Sequence, residues 1–144
     1  MDIQRRVQNL IKKYDTNDPY KIAQALGISV VVKEMPNKLR GCCLYMLKNK
    51  FIGISSELSA AGALVVLAHE LGHIRLHGLG TYSCTIDNPR VRTKYEHEAN
   101  IFALILLSSS RDVDVGNVRE FLKLNKSNPQ KIHQALCEIF DNGL

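Results

Sequence analysis

The chain predicts an α+β fold in which a small, three-stranded, mostly antiparallel sheet packs on a long apolar helix carrying two histidines and on a second apolar helix carrying glutamates, with flanking N- and C-terminal helices. Three observations predict it. Residues 58–76 (LSAAGALVVLAHELGHIRL) are long enough for several helical turns and are apolar or small on almost every face, so this helix belongs inside the protein. Residues 94–107 (KYEHEANIFALILL) form a second apolar helix downstream. Between them and the N-terminus, a β-branched run and two clusters of turn residues read as short strands.

The elements follow in order. The chain opens on a polar, amphipathic stretch, and helices are expected near 2–14 and 18–26. Val30, Val31 and Val32 are three β-branched residues in succession and argue for a strand near 28–33. Pro36, Asn37 and Gly41 mark a turn, and Lys48-Asn49-Lys50 suggests a hairpin between strands near 41–47 and 50–54. The long helix is expected from about 57 to 77. Gly78 and Gly80 end it, because glycine tolerates the left-handed cap conformation. Residues 81–90 read as a polar loop bordering a cleft, the second long helix spans about 91–108, and two further helices close the domain.

Composition bounds the function. A length of 144 residues with 45% hydrophobic content suits one domain, 1–144, with a single core. The N-terminus does not read as a signal peptide and no apolar run reaches a membrane span without His, Glu or Arg, so a cytoplasmic location is expected. A reducing compartment favours free thiols at Cys42, Cys43, Cys84 and Cys137. Cys42 and Cys43 are expected as structural strand residues, and Cys84 lies in the linker between the two long helices. The net charge of +5 is scattered without a dominant block, as on a solvated surface, although it would help attract an acidic partner. Residues 22–29 (IAQALGIS) imitate the first helix and turn of a DNA-binding helix-turn-helix. The valine strand stands where a recognition helix would have to follow, so sequence-specific DNA binding is not expected.

His69-Glu70-Leu71-Gly72-His73 carries the chemistry. Residues four apart share a helix face with Cβ atoms roughly 5–6 Å apart, so two imidazoles can grip one ion while the enclosed Glu70 points toward its bound water as a general base. Buried in an apolar helix, these groups would cost several kcal/mol unless something satisfied them together, and a Zn2+ ion with its water does so. A catalytic zinc needs a third protein ligand. The pattern HExxHxxGxxH fails, because Leu76 and Leu79 occupy the Gly and third His positions. The second helix offers two candidates. Glu96 lies one turn before Asn100, which suits a ligand with a polar partner hydrogen-bonded behind the site. Glu98 has Lys94 at i−4, the kind of pair expected on a solvated face. Glu96 is the favoured third ligand and Glu98 the alternative.

HELGHIRLH at 69–77 followed by EHEANIFALILL at 96–107 resembles the ImmA/IrrE family of bacterial and phage metallopeptidases, whose pattern is HELGHxxLH and then ExEAnxFAxxLL. The likeness extends upstream, since 18–30 (DPYKIAQALGISV) resembles the family's short helix and first strand and 51–55 (FIGIS) the strand before the zinc helix, covering roughly 17–108. It implies a zinc-dependent endopeptidase, or a protein derived from one, that acts on a helix-turn-helix repressor and so derepresses genes. The chain departs from the family after the second helix, where Ser108-Ser109-Ser110 stands in place of a frequent proline.

The expected mechanism has His69, His73 and Glu96 holding zinc and Glu70 moving the proton. Tyr82, Tyr95 and His97 are candidate donors to a tetrahedral oxyanion. His77, two turns after His69 and near the helix end, is expected in a structural or dipole-related role, and His133 as a surface residue. A rival reading from another class is a non-cleaving module that sequesters a repressor or antitoxin partner. Glu70 weighs against it, since a pure binding module has no need of a general base.

Overall fold

In a computed structural model of the chain, residues 2–36, 39–46, 48–78 and 89–108 are described. Helix α1 (Ile3–Tyr14) is started by Asp2, whose carboxylate accepts from the Arg5 amide at 3.0 Å, and it buries Ile3, Val7 and Leu10 at helical spacing. Helix α2 (Pro19–Ala25) has Asp18 as its cap and Pro19 where a missing N–H costs nothing. Gly27, at φ +72°, turns the chain from α2 into strand β1 (Ile28–Lys33). A strand therefore does follow α2, as the three valines predict.

Strands β2 (Gly41–Met46) and β3 (Asn49–Ser55) form the expected hairpin, with Met46 opposite Asn49 and Lys48 in the left-handed region at φ 66°. The sheet order is β1-β3-β2. One of its two pairings is antiparallel, β2 with β3, and the other, β1 with β3, is parallel, where the sequence predicts a mostly antiparallel sheet. The parallel pair is possible because β2 leaves the β1 side and returns through the hairpin, which places β3 in the centre. Central β3 buries Ile52 and Ile54 among the side chains of the core.

Helix α3 (Ala60–Leu76) starts later than the apolar run suggests, because Ser59 caps it by accepting from the Gly62 amide at 3.1 Å. His77 ends it, followed by Gly78 at φ +73°. Helix α4 (Pro89–Ser108) begins two residues earlier than expected, at a proline, which is well tolerated in a first turn. Two glycines set how closely the elements of the site approach. A Cβ at Gly72 would lie 3.0–3.1 Å from Phe102 of α4, and one at Gly41 would run into the Val66 side chain and sit 3.4 Å from Glu70 Cγ. Thus β2 passes directly beside α3, and α3 lies flush on α4. The buried Asn17 amide donates to the Leu106 carbonyl at 3.1 Å and ties the α1–α2 connection to α4.

Among the described residues no helix is long and apolar enough to cross a membrane. The expected C-terminal helices, Tyr82, Cys84, His133, Cys137, Ser109, Ser110 and the loop up to residue 88 lie outside the described residues.

Candidate metal centre

Helix α3 is apolar on almost every face, so its polar residues stand out: apart from the exposed Arg75, His69, Glu70 and His73 within it and His77 at its C-cap are all buried. The i, i+4 spacing brings His69 Nε2 and His73 Nε2 to 3.1 Å from one another. From α4, Glu96 reaches across with one oxygen on each ring, Oε2 at 3.0 Å from His69 Nε2 and Oε1 at 3.1 Å from His73 Nε2. The three residues offer donor atoms that all lie within 4.8 Å of one another. Two imidazole nitrogens facing each other across about a hydrogen-bond length cannot both be lone pairs without something between them. Either a proton on one ring or a cation between the two lone pairs satisfies them, and with the Glu96 oxygens alongside this His-His-Glu cluster is compatible with a metal ion.

Glu98, the other ligand candidate, is not in this cluster. Its carboxylate lies 3.3 Å from His77 Nε2, and its side chain is only 12% exposed, so it does not occupy the solvated face inferred from Lys94. The reason is the breadth of the α3–α4 contact. Tyr95 and Glu98 are one turn apart on a flank of α4 that meets the end of α3, where Tyr95 stacks on the His77 ring with centroids 4.0 Å apart and planes 16° from parallel. His77 itself has a structural setting. Its Nδ1 lies 3.1 Å from His73 Nδ1, one helical turn away. This chain of contacts behind His73 went unread in the sequence, although the i, i+4 spacing of His73 and His77 was visible.

Asn100 is buried, and its amide faces His69 from α4. Glu70 is also buried, with an Oε2 that no group among the described residues satisfies. A buried carboxylate oxygen without a partner, next in sequence to His69 and within reach of the Glu96 charge, fits a site built to hold an ion and its water. Burial, followed by the neighbouring Glu96 charge, raises the Glu70 pKa against the opposing pull of His69, and a hydrogen bond from the Cys43 thiol lowers it slightly. Cys43, on β2, has its own pKa driven up by burial and then by Glu70, so it is a neutral donor rather than a thiolate ligand. Burial lowers the pKa of both His73 and His77, which favours the neutral ring that a metal requires. Burial acts on His69 in the same direction, but the hydrogen bond to Glu96 and the charges of Glu70 and Glu96 outweigh it and raise its pKa. Of the candidate oxyanion donors, Tyr95 is engaged with His77 and His97 is partly buried on α4.

Residues 23–114 match the model of a peptidase family described as the IrrE N-terminal-like domain. The chain belongs to the ImmA/IrrE family. The match spans β1 to α4 and so contains the whole His-Glu cluster, placing these residues in a family of metallopeptidase-like domains. Among curated relatives, an uncharacterized immunity region protein 2 of Bacillus phage phi105 is 39% identical over 73% of this chain and 67% of its own length. The metallopeptidase ImmA of Bacillus subtilis (strain 168) is 27% identical over 76% of this chain and 64% of its own length. The alignments therefore take in about two-thirds of each relative. No solved structure matches the chain.

Proposed function

We propose that the chain is a zinc-dependent endopeptidase of a single domain, 1–144, which acts in the cytoplasm and cleaves a helix-turn-helix repressor, so that the genes under that repressor are released. The observation that carries the reading is the convergence of His69, His73 and Glu96 donor atoms beside the buried, half-satisfied carboxylate of Glu70. Two imidazoles and one carboxylate are a donor set of catalytic zinc sites, in which three protein ligands leave a position open. His69, His73 and Glu96 would hold the ion, with Asn100 orienting His69 from behind. Zinc, when bound, supplies Lewis-acid polarisation of a carbonyl and makes a water molecule more acidic.

The remaining work falls to the chain. Glu70 takes the proton from the attacking water and delivers it to the amine that leaves. Its raised pKa suits both halves of that transfer, since a base must hold the proton long enough to return it. The neutral Cys43 thiol on β2 is the neighbour that favours the charged form of Glu70. The partner class is the one that the resemblance to the ImmA/IrrE family implies, and an immunity region protein of a Bacillus phage is among the relatives.

The test is to measure zinc by elemental mass spectrometry and to incubate the chain with candidate repressors, comparing wild type with Glu70→Gln. About one zinc per chain in both, with cleavage in wild type alone, is the expected result. A wild-type chain that holds zinc yet changes repressor activity equally well as Glu70→Gln would overturn cleavage in favour of sequestration.

A further inference from the structure

His73 makes two sets of contacts, one through each ring nitrogen. Nε2 faces Glu96 and His69, while Nδ1 lies 3.1 Å from His77 Nδ1. A neutral imidazole carries one N–H and one lone pair, so a close Nδ1···Nδ1 pair is a hydrogen bond only if one ring is protonated there and the other is not. The far side of His77 decides which. Its Nε2 lies 3.3 Å from Glu98 Oε1, and an ionised carboxylate can only accept, so Nε2 carries the His77 proton. His77 Nδ1 is then the acceptor and His73 Nδ1–H the donor; His73 Nε2, which lies 3.1 Å from Glu96 Oε1, keeps its lone pair once a cation stands in place of a proton between those two atoms.

We propose that Glu98 and His77 are positioning residues that lock His73 in the tautomer able to ligate a divalent cation, with Tyr95 stacked on His77 to hold its ring in plane. This rests on the reading that His69, His73 and Glu96 bind zinc. The arrangement is a carboxylate–imidazole–imidazole chain from α4 to the end of α3, so the same helix that supplies Glu96 also sets the state of His73. Removing the acceptor at residue 98 frees His77 to place its proton on Nδ1. Two N–H groups would then oppose each other, and His73 would shift its own proton to Nε2, where it blocks ligation.

The experiment measures zinc affinity of the full chain by chelator competition for wild type, His73→Ala, His77→Phe, Glu98→Leu and Glu98→Gln. Side-chain nitrogen-proton NMR of the histidines in wild type and Glu98→Leu accompanies it. The expected result is loss of zinc binding in His73→Ala and a drop of about 10- to 100-fold in His77→Phe and Glu98→Leu, the range found for partners behind a metal ligand. Glu98→Gln retains more affinity than Glu98→Leu, since its amide oxygen still accepts from His77. In zinc-loaded wild type the NMR shows His73 protonated on Nδ1 and His77 on Nε2, and it needs no variant to fold. Wild-type affinity in both His77→Phe and Glu98→Leu, equal losses in the two Glu98 variants, or a His77 proton on Nδ1 would each overturn the chain while leaving the zinc reading intact. A folded wild type that takes no zinc would remove the metal reading itself, and this proposal with it.

Discussion

Glu70 is buried on the same helix as two imidazoles, and its charge is tolerated there only by what surrounds it. Glu70→Gln keeps the shape and removes the base. It is expected to retain zinc and lose about 10²- to 10⁴-fold in cleavage rate, measured by following substrate disappearance at saturating enzyme. The histidines make a second prediction, in pH. Each ligand must be neutral to bind a cation, so protons compete with the metal. His73 has its pKa lowered in the metal-free fold, and on unfolding it returns toward about 6.5, so the unfolded state takes up the proton first and stability from this group is lost as pH falls through that value. His69 has its pKa raised, so in the metal-free fold it competes for protons at higher pH than an ordinary histidine. Zinc affinity is therefore expected to fall as pH drops from about 7.5 to 5.5, steepening as both rings titrate, in a chelator-competition titration across that range. An affinity independent of pH there would exclude histidine ligation.

At the scale of elements, Gly72 inside the His-Glu motif is explained by packing rather than chemistry. It lies where the Phe102 side chain presses on α3, and a branched side chain there forces Phe102, and α4 with it, to shift. Because Glu96 reaches the cluster from α4, that displacement also separates the donors. Gly72→Val is expected to cost about 1–3 kcal/mol in urea unfolding and to weaken zinc binding as well, whereas a purely local effect would change the first and spare the second. Element type was largely legible in the sequence. The apolar runs gave the two long helices, and the three valines gave a strand where a recognition helix would otherwise stand. Boundaries were less so, because the Ser59 cap and the Pro89 start decide them through local hydrogen bonding that an apolar run does not record. Glu98 was misread for a related reason: an i−4 lysine suggests solvent, but only the α3–α4 packing reveals a buried histidine on the same flank.

For the whole molecule, the cluster joins α3 to α4, two elements separated in sequence by residues 77–88. Binding that requires both should stabilise the folded chain over the unfolded one by mass action, by about 4 kcal/mol when free zinc is a thousandfold above Kd. Thermal unfolding followed by circular dichroism is expected to show a higher Tm with zinc, reversed by chelator, and no such rise in His69→Ala. An equal rise in that variant would place the zinc elsewhere.

The sequence by itself determined the fold class, the family and the core of the site, because helical periodicity places His69 and His73 on one face whatever the rest of the chain does. Only the tertiary structure decided the strand order, the choice of Glu96 to face that pair, and the Glu98–His77 contact behind it. These depend on how α4 is rotated and seated against α3. That seating is set by the fit of Phe102 to Gly72 and by the burial of a broad apolar face, terms that sum over many long-range contacts and leave no periodic trace along the chain.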